Sequence, residues 1–272
     1  MKTLISGVLY SSAERRAVRW SSLTALLLLL TFVGPAHAQQ VVPTDVVVRA
    51  VSQDAKLIQD PVGGARITIR NADTGEVLAE GRQTGDSGST EAIMQQPRPR
   101  GADIYDTPGA AVYRATLDLA TPTRIEITAE GPLDYPKAMQ RASTTMWITP
   151  GDHVRGNGVV LTLHGFIVEV LSPTDASNAA PGEEVDVRAR VRMMCGCPTE
   201  PGGLWDSDRY TIQAQLMQDG AVVAEAPLTF AGTTNIFSGP LPMPDAGADR
   251  LRVVVSDAER ANFGVADMAL DE

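Results

Sequence analysis

The sequence predicts an exported all-β protein built from two β-sandwiches stacked end to end. Three observations support this prediction. Short segments rich in Val, Ile and Thr alternate apolar and polar residues with a period of two, which is typical of half-buried strands. Pro and Gly punctuate these segments at short intervals, which favours a sandwich over a fold of alternating strands and helices. The N-terminus has the three parts of a secretory signal peptide.

The signal peptide is predicted over residues 1–38. A basic start is followed by an apolar run, Leu23–Val33, and by the small-residue cleavage site Ala36-His37-Ala38. The apolar run has 11 residues, whereas about 20 are needed to span a bilayer. We therefore expect cleavage after Ala38, a periplasmic or secreted location and no stable membrane insertion afterwards. An uncleaved N-terminal membrane anchor is the alternative.

The composition of the mature chain restricts its partners. Cleavage after Ala38 leaves 234 residues with 19 basic and 32 acidic side chains, a formal charge of −13. Such a chain repels nucleic acid and anionic membrane surfaces. It has only two cysteines, Cys195 and Cys197, so a hydrophobic core rather than a disulfide framework must stabilise the fold.

The first sandwich is predicted over residues 39–164. Ala65–Arg70 alternates cleanly, and Asn71–Gly75 has the residue types of a hairpin turn leading into Glu76–Ala79. Met94–Ala110 contains three prolines and is predicted to be a long surface loop. The other predicted strands of this half are Val46–Val51, Ala111–Leu119, Arg124–Ala129, Thr144–Ile148 and Val159–His164.

The second sandwich is predicted over residues 165–272, with the boundary near Gly165. Val185–Arg192 alternates over eight residues, with valines and an alanine on one face and Asp or Arg on the other. We expect the apolar face to be buried and the charged face to be exposed. The other predicted strands are Phe166–Leu171, Tyr210–Met217, Ala221–Phe230, Leu251–Ser256 and Val265–Leu270.

Both halves resemble known families of β-sandwich modules. Pro181–Val187 (PGEEVDV) and Leu251–Ala258 (LRVVVSDA) are similar to segments of a bacterial immunoglobulin-like module. Pro61–Ile69 (PVGGARITI) and Thr84–Gly88 (TGDSG) resemble the transthyretin-like or carboxypeptidase-regulatory-like class, although the aromatic Gly-x-Tyr near its end is missing. These resemblances imply two tandem immunoglobulin-like sandwiches and no particular activity.

No catalytic signature is present, and the chain is predicted not to be an enzyme. The motifs GxSxG, HExxH, the Walker loop and the dinucleotide fingerprint do not occur. Gly85-Asp86-Ser87-Gly88 is similar to the nucleophile motif of chymotrypsin-like proteases. In those proteases the catalytic histidine precedes the serine in the sequence, but no histidine of the mature chain precedes Ser87. A glycine-rich turn explains this segment.

A cluster of sulfur-containing residues at 193–197 suggests a metal site. If the preceding strand continues, Met193, Cys195 and Cys197 point to one face and Met194 to the other. Thiolate and thioether ligands suit Cu(I). His164, at the predicted junction, or Met194 is a possible additional ligand, although a hydrogen bond is the alternative role of His164.

Three other interpretations of the same cluster stay open. Cys195 and Cys197 can form a local disulfide, since alternate residues of an extended chain lie about 6.6 Å apart, at the upper end of the usual disulfide range, and Gly196 can bend the chain. The pair can take part in thiol–disulfide exchange. Met193 and Cys195 can also be ordinary core residues.

Two functions follow as hypotheses. The first is an exported non-catalytic binding protein that holds Cu(I) at Met193, Cys195 and Cys197. The second is a structural or adaptor module with a protein partner in the cell envelope, in which Cys195–Cys197 is a local disulfide. Trp205, Arg98 and Arg100 are the predicted partner contacts, because they lie in two predicted loops, Trp205 in Met193–Ser207 and both arginines in Met94–Ala110.

Overall fold

Alternating strands form nearly all of the regular structure in the computed structural model, which describes residues 40–173, 182–245 and 247–270. The chain from Val41 onward forms a single compact unit. The predicted signal peptide and Pro181 of the immunoglobulin-like resemblance lie outside the described residues. No helix within the described ranges is long and apolar enough to cross a membrane.

Two open sheets with a common core are formed by residues 42–163, which we call the N-terminal sheet pair. Their orders are β4-β1-β7 and β3-β2-β5-β6. All pairings are antiparallel except that of β1 with β7, which is parallel. The strands are β1 (Val42–Ser52), β2 (Ala65–Asn71), β3 (Val77–Gln83), β4 (Tyr113–Leu119), β5 (Thr123–Gly131), β6 (Gln140–Ile148) and β7 (Val154–Leu163).

Residues 166–269 form the C-terminal sheet pair. Its two sheets have the orders β12-β13-β9-β8 and β11-β10-β14-β15, with antiparallel pairing throughout. The chain passes from one sheet pair to the other through His164 and Gly165. The strands are β8 (Phe166–Ser172), β9 (Glu184–Met193), β10 (Thr211–Gln218), β11 (Ala221–Pro227), β12 (Thr229–Phe230), β13 (Ile236–Pro242), β14 (Arg250–Asp257) and β15 (Asn262–Ala269).

Short helical turns occur only at loops in the described part of the chain. One is a π-helical turn, Glu91–Gln95. The others are three-residue 3-10 turns at Asp60–Val62, Pro136–Ala138, Ser207–Arg209 and Ala258–Arg260. The all-β class predicted from alternation is therefore confirmed.

Each sheet pair encloses its own apolar core. Ile67, Ile69, Ile125 and Ile127 face β1, β4 and β7 in the N-terminal core. The C-terminal core is formed by the valines of β9 together with apolar residues of β10, β13 and β14. In β9 the predicted alternation is confirmed, since Val185, Val187, Ala189 and Val191 are buried and Asp186 and Arg188 are exposed, while Arg190 and Arg192 are half-buried.

Two features of the C-terminal pair differ from the prediction. The expected strand Ala221–Phe230 is divided between the two sheets, as β11 and β12. The strand β13 was not predicted, because Gly239, Pro240 and Pro242 are typical of turns. Proline is tolerated here because β12 pairs only with Phe237 and Ser238, which leaves the outer edge of β13 unpaired beyond them.

Candidate functional site

The segment Met193–Cys197 forms a tight turn at the end of β9. Gly196 N–H donates to the carbonyl of Met193 at 2.8 Å, and Met193 N–H donates to that of Cys197 at 3.1 Å. Gly196 has φ +80°, in the left-handed region that favours glycine. A Cβ at this position would lie 2.8 Å from Val62 Cγ1, so both the conformation and the close contact require glycine.

Cys195 and Cys197 are joined by a disulfide, one of the alternatives predicted from their spacing. Their Cα atoms lie 5.4 Å apart, closer than alternate residues of an extended strand, because the turn at Gly196 draws them together. The side chains of both cysteines are buried. A buried disulfide holds no thiolate, so in this state the pair has neither a nucleophile nor a thiolate metal ligand.

The two methionines of the segment enter different cores. Met193 lies with both cysteines in the C-terminal core, where the Tyr210 hydroxyl donates to its sulfur at 3.7 Å. Met194 lies in the N-terminal core, beside Ile167. The strand does not continue through this segment as the predicted alternation required, but the turn still separates Met194 from Met193, Cys195 and Cys197. One consequence is that the turn at 193–197 packs against both halves of the protein at once.

The predicted metal ligands are not brought together as one set. His164 is exposed, and its Nδ1 lies 2.9 Å from the carbonyl oxygen of Ala261, which is the hydrogen bond considered as its alternative role. Met194 is separated from the other sulfurs by its position in the other core. In the described ranges there is no group of three or more His, Cys, Asp or Glu side chains that can hold a metal ion.

Residues of the N-terminal sheet pair surround the disulfide turn. The Gln59 side-chain amide donates to the carbonyl of Cys195 at 2.8 Å. The Trp205 indole N–H donates to the carbonyl of Asp54 at 3.0 Å, and the Asp54 carboxylate pairs with Arg260 at 2.8 Å. These contacts link residues more than 130 positions apart, and neither Asp54 nor Gln59 carries any sequence signal that singles it out.

Trp205 was predicted to contact a partner, but the structure places it in the protein interior. It is only 5% exposed and belongs to the C-terminal core, next to the disulfide. Its large apolar ring is buried, and its single polar group is satisfied by the Asp54 carbonyl. Trp205 therefore stabilises the contact between the two sheet pairs.

Arg98 and Arg100 are exposed, as predicted, but their loop is held against the protein. The Arg98 guanidinium donates to the carbonyl of Ile93, a fully buried residue. Further along the loop, Asp106 pairs with the buried Arg49 at 2.7 Å on the outer side of the β4-β1-β7 sheet. Arg98 and Arg100 are therefore exposed on a loop that is held in place against the rest of the protein.

Burial of Tyr210 makes the stability of the fold depend on pH in the alkaline range. Burial of the phenol raises its pKa to about 12, from about 10 in an unfolded chain. Because the folded state holds the proton more tightly, this contribution to stability is complete below pH 10 and is lost as the pH rises from 10 to 12. We expect the free energy of unfolding to fall less steeply over this range in Tyr210→Phe than in the wild type.

Urea denaturation at pH 8, 10 and 11.5 tests this expectation. Tyr105→Phe removes a phenol hydroxyl from a different loop and controls for the loss of a hydroxyl group at pH 8. An equally steep loss in Tyr210→Phe and in the wild type would contradict the assignment to Tyr210.

Comparisons with known proteins identify no family. No family model and no curated protein matches the chain. Among solved structures, the apo structure of Bacteroides uniformis β-glucuronidase 3 is similar over 84% of this chain, at 12% identity and a TM-score of 0.21. This chain spans 25% of that structure's length, and a similarity at this level supports no conclusion about fold or activity.

Proposed function

We propose that the protein is an exported, non-catalytic structural or adaptor module made of two tandem immunoglobulin-like sandwiches. The observation that supports it best is the turn at 193–197, which places Met193 in one core and Met194 in the other. A turn packed into two cores couples the sandwiches mechanically, because neither can move without exposing apolar surface, at about 25 cal/mol per Å². The module acts as one rigid body in the periplasm or outside the cell.

In this proposal the Cys195–Cys197 disulfide has a structural role. It closes the turn that both cores share, and its burial keeps it away from reductants and substrates. An oxidising compartment, which the predicted signal peptide implies, is where such a bond persists. The disulfide therefore maintains the relative position of the two sandwiches and takes no part in catalysis.

Arg98 and Arg100 are the proposed contacts with a protein partner in the cell envelope. Arginine is enriched at protein interfaces, and both arginines are exposed on a loop that the Arg98–Ile93 hydrogen bond and the Arg49–Asp106 ion pair hold in place. A fixed loop loses little conformational entropy on binding. An acidic patch on the partner would complement the two arginines.

Affinity capture from native envelope extract tests the adaptor function. We expect one partner to be retained by the wild type and by Cys195→Ser/Cys197→Ser, and to be lost with Arg98→Ala/Arg100→Ala. Arg188→Ala removes an exposed arginine from β9, in the C-terminal sheet pair, and should retain the partner. Capture that is unchanged in the double-arginine variant would reject the proposed contact surface.

The Cu(I) hypothesis is the second candidate, and it is favoured by the position of Met193, Cys195 and Cys197 in the same core. It requires prior reduction of the disulfide. Anaerobic Cu(I) titration of the reduced protein should then reveal sub-micromolar binding that disappears in Cys195→Ser/Cys197→Ser. Weaker binding, or binding that survives this double substitution, would reject a copper site at this turn.

A further inference from the structure

The outer face of the sheet β3-β2-β5-β6 is mostly polar. Ile67 and Ile69 point into the core, so the residues between them in β2 point outward. Cross-strand pairing arranges the outward residues of all four strands in rows. These rows are Arg82, Arg66, Glu130 and Arg141; then Glu80, Thr68, Thr128 and Ser143; then Val77, Arg70, Glu126 and Thr145; and finally Arg124 and Trp147.

Two short side chains at the centre of this face form the floor of a depression. Thr68 and Thr128 pair across the two central strands, and both are largely covered by the longer side chains around them. The depression has a volume of about 200 Å³. The Thr68 hydroxyl donates to Glu80 at 3.2 Å, so hydroxyl and carboxylate oxygens both line the depression.

Three arginines, Arg66, Arg70 and Arg141, line the depression together with two carboxylates, those of Glu80 and Glu130. Arg66 and Arg141 share a single carboxylate, that of Glu130, at 3.5 and 3.9 Å. Arg70 instead donates to the carbonyl oxygen of Gly75 at 3.4 Å. Because exposed ion pairs of this length are weak, the three guanidinium groups are available to an additional carboxylate. Guanidinium binds carboxylate through two parallel hydrogen bonds.

Trp147 lies at the opposite end of the same face. It is 64% exposed, which is unusual for so large an apolar ring surrounded by polar side chains. Along β6 it is six residues from Arg141, about 20 Å in an extended strand. The outward residues between them are Ser143 and Thr145, so a line of hydroxyl groups connects the depression to the indole ring.

We propose that this face binds an acidic polysaccharide. A carboxylated sugar residue occupies the depression, with its carboxylate on Arg66, Arg70 and Arg141 and its hydroxyl groups on the two threonines. The chain continues along β6, and the apolar face of a later sugar ring stacks on Trp147. The site is independent of the proposed adaptor function, since Arg98, Arg100 and the disulfide lie elsewhere.

The mixed lining favours a polysaccharide over a single-stranded nucleic acid. Glu80, Glu126 and Glu130 lie among the arginines and would repel closely spaced phosphates, whereas they accept hydrogen bonds from sugar hydroxyl groups. The outermost arginines, Arg82 and Arg124, are engaged by Asp60 and Asp73.

Native affinity electrophoresis and calorimetry with the purified protein test the proposal. The probes are polygalacturonate, neutral dextran and a single-stranded oligonucleotide. We expect retardation by polygalacturonate alone and a loss of affinity on raising the salt concentration from 50 to 500 mM. Trp147→Ala and Arg70→Ala/Arg141→Ala should each weaken binding at least tenfold. Binding should also shift the fluorescence of Trp147 to shorter wavelength, an effect absent in Trp147→Ala.

Two substitutions of exposed residues outside the face serve as controls. Phe263→Ala removes an aromatic ring from β15, and Arg155→Ala removes an arginine from β7; both should bind like the wild type. The proposal is overturned if polygalacturonate does not retard the protein, if the control and face variants weaken equally, or if dextran or the oligonucleotide binds as well as polygalacturonate. Loss of the envelope partner with Arg98→Ala/Arg100→Ala would not affect any of these results.

Discussion

Val187→Asp is expected to unfold the C-terminal sheet pair. Val187 is fully buried at the centre of β9, where it pairs with Gly239 of β13 and packs in the C-terminal core. An aspartate there has no cation within the core, so it must either bury an unpaired charge or remain protonated. We expect a loss of at least about 4 kcal/mol, a large part of the 5–15 kcal/mol typical of a domain.

Arg188→Asp is the matched control for this substitution, because it introduces the same residue one position along the same strand. Arg188 is exposed, and we expect its replacement to change the free energy of unfolding by less than about 1 kcal/mol. Urea denaturation followed by circular dichroism gives both values. If the two variants were equally stable, the assignment of the inward face of β9 would be wrong.

Trp205→Ala is expected to destabilise the protein by about 3–5 kcal/mol, the usual cost of truncating a buried tryptophan. The loop position of Trp205 in the sequence predicted that it contacts a partner at the surface. The structure instead buries the ring beside the disulfide and satisfies its N–H with the Asp54 carbonyl. Truncation removes the packing of the ring and leaves that carbonyl without its partner.

Trp205→Phe and Trp147→Ala are the comparison variants for Trp205→Ala and are measured in the same denaturation experiment. Trp205→Phe keeps an aromatic ring and should lose less than the alanine variant. Trp147→Ala truncates an exposed tryptophan and should leave the free energy of unfolding nearly unchanged. A Trp205→Ala protein as stable as Trp147→Ala would show that Trp205 does not support the contact between the sheet pairs.

The strands that could be predicted are those in which local pattern and tertiary environment agree. In β2 and β9 the period-two alternation directly reports which face is buried. The strand β13 also contributes to a buried core, yet its sequence contains one glycine and two prolines. Only the short extent of β12 makes those prolines acceptable. The parallel pairing of β1 with β7 joins segments about 100 residues apart and leaves no local pattern to recognise.

The candidate site, like the strands, was predictable from the sequence only in part. The spacing of Cys195 and Cys197 was enough to predict that a bridge can form. The burial of the bridge was not predictable, because it depends on Gln59, Val62 and Asp54 from the other sheet pair. The depression on the N-terminal sheet was missed because its rows combine residues from four separate strands.

The sequence by itself determined the all-β class, most of the strands and the inward face of β9, because strand alternation is a local property that the buried face of a sheet imposes residue by residue. Only the tertiary structure decided which loop residues become core. Trp205 and Met194 are buried, while Arg98 and Arg100 stay exposed. That outcome depends on which distant segments pack together, and apolar burial is non-directional, so composition and spacing do not specify the partner.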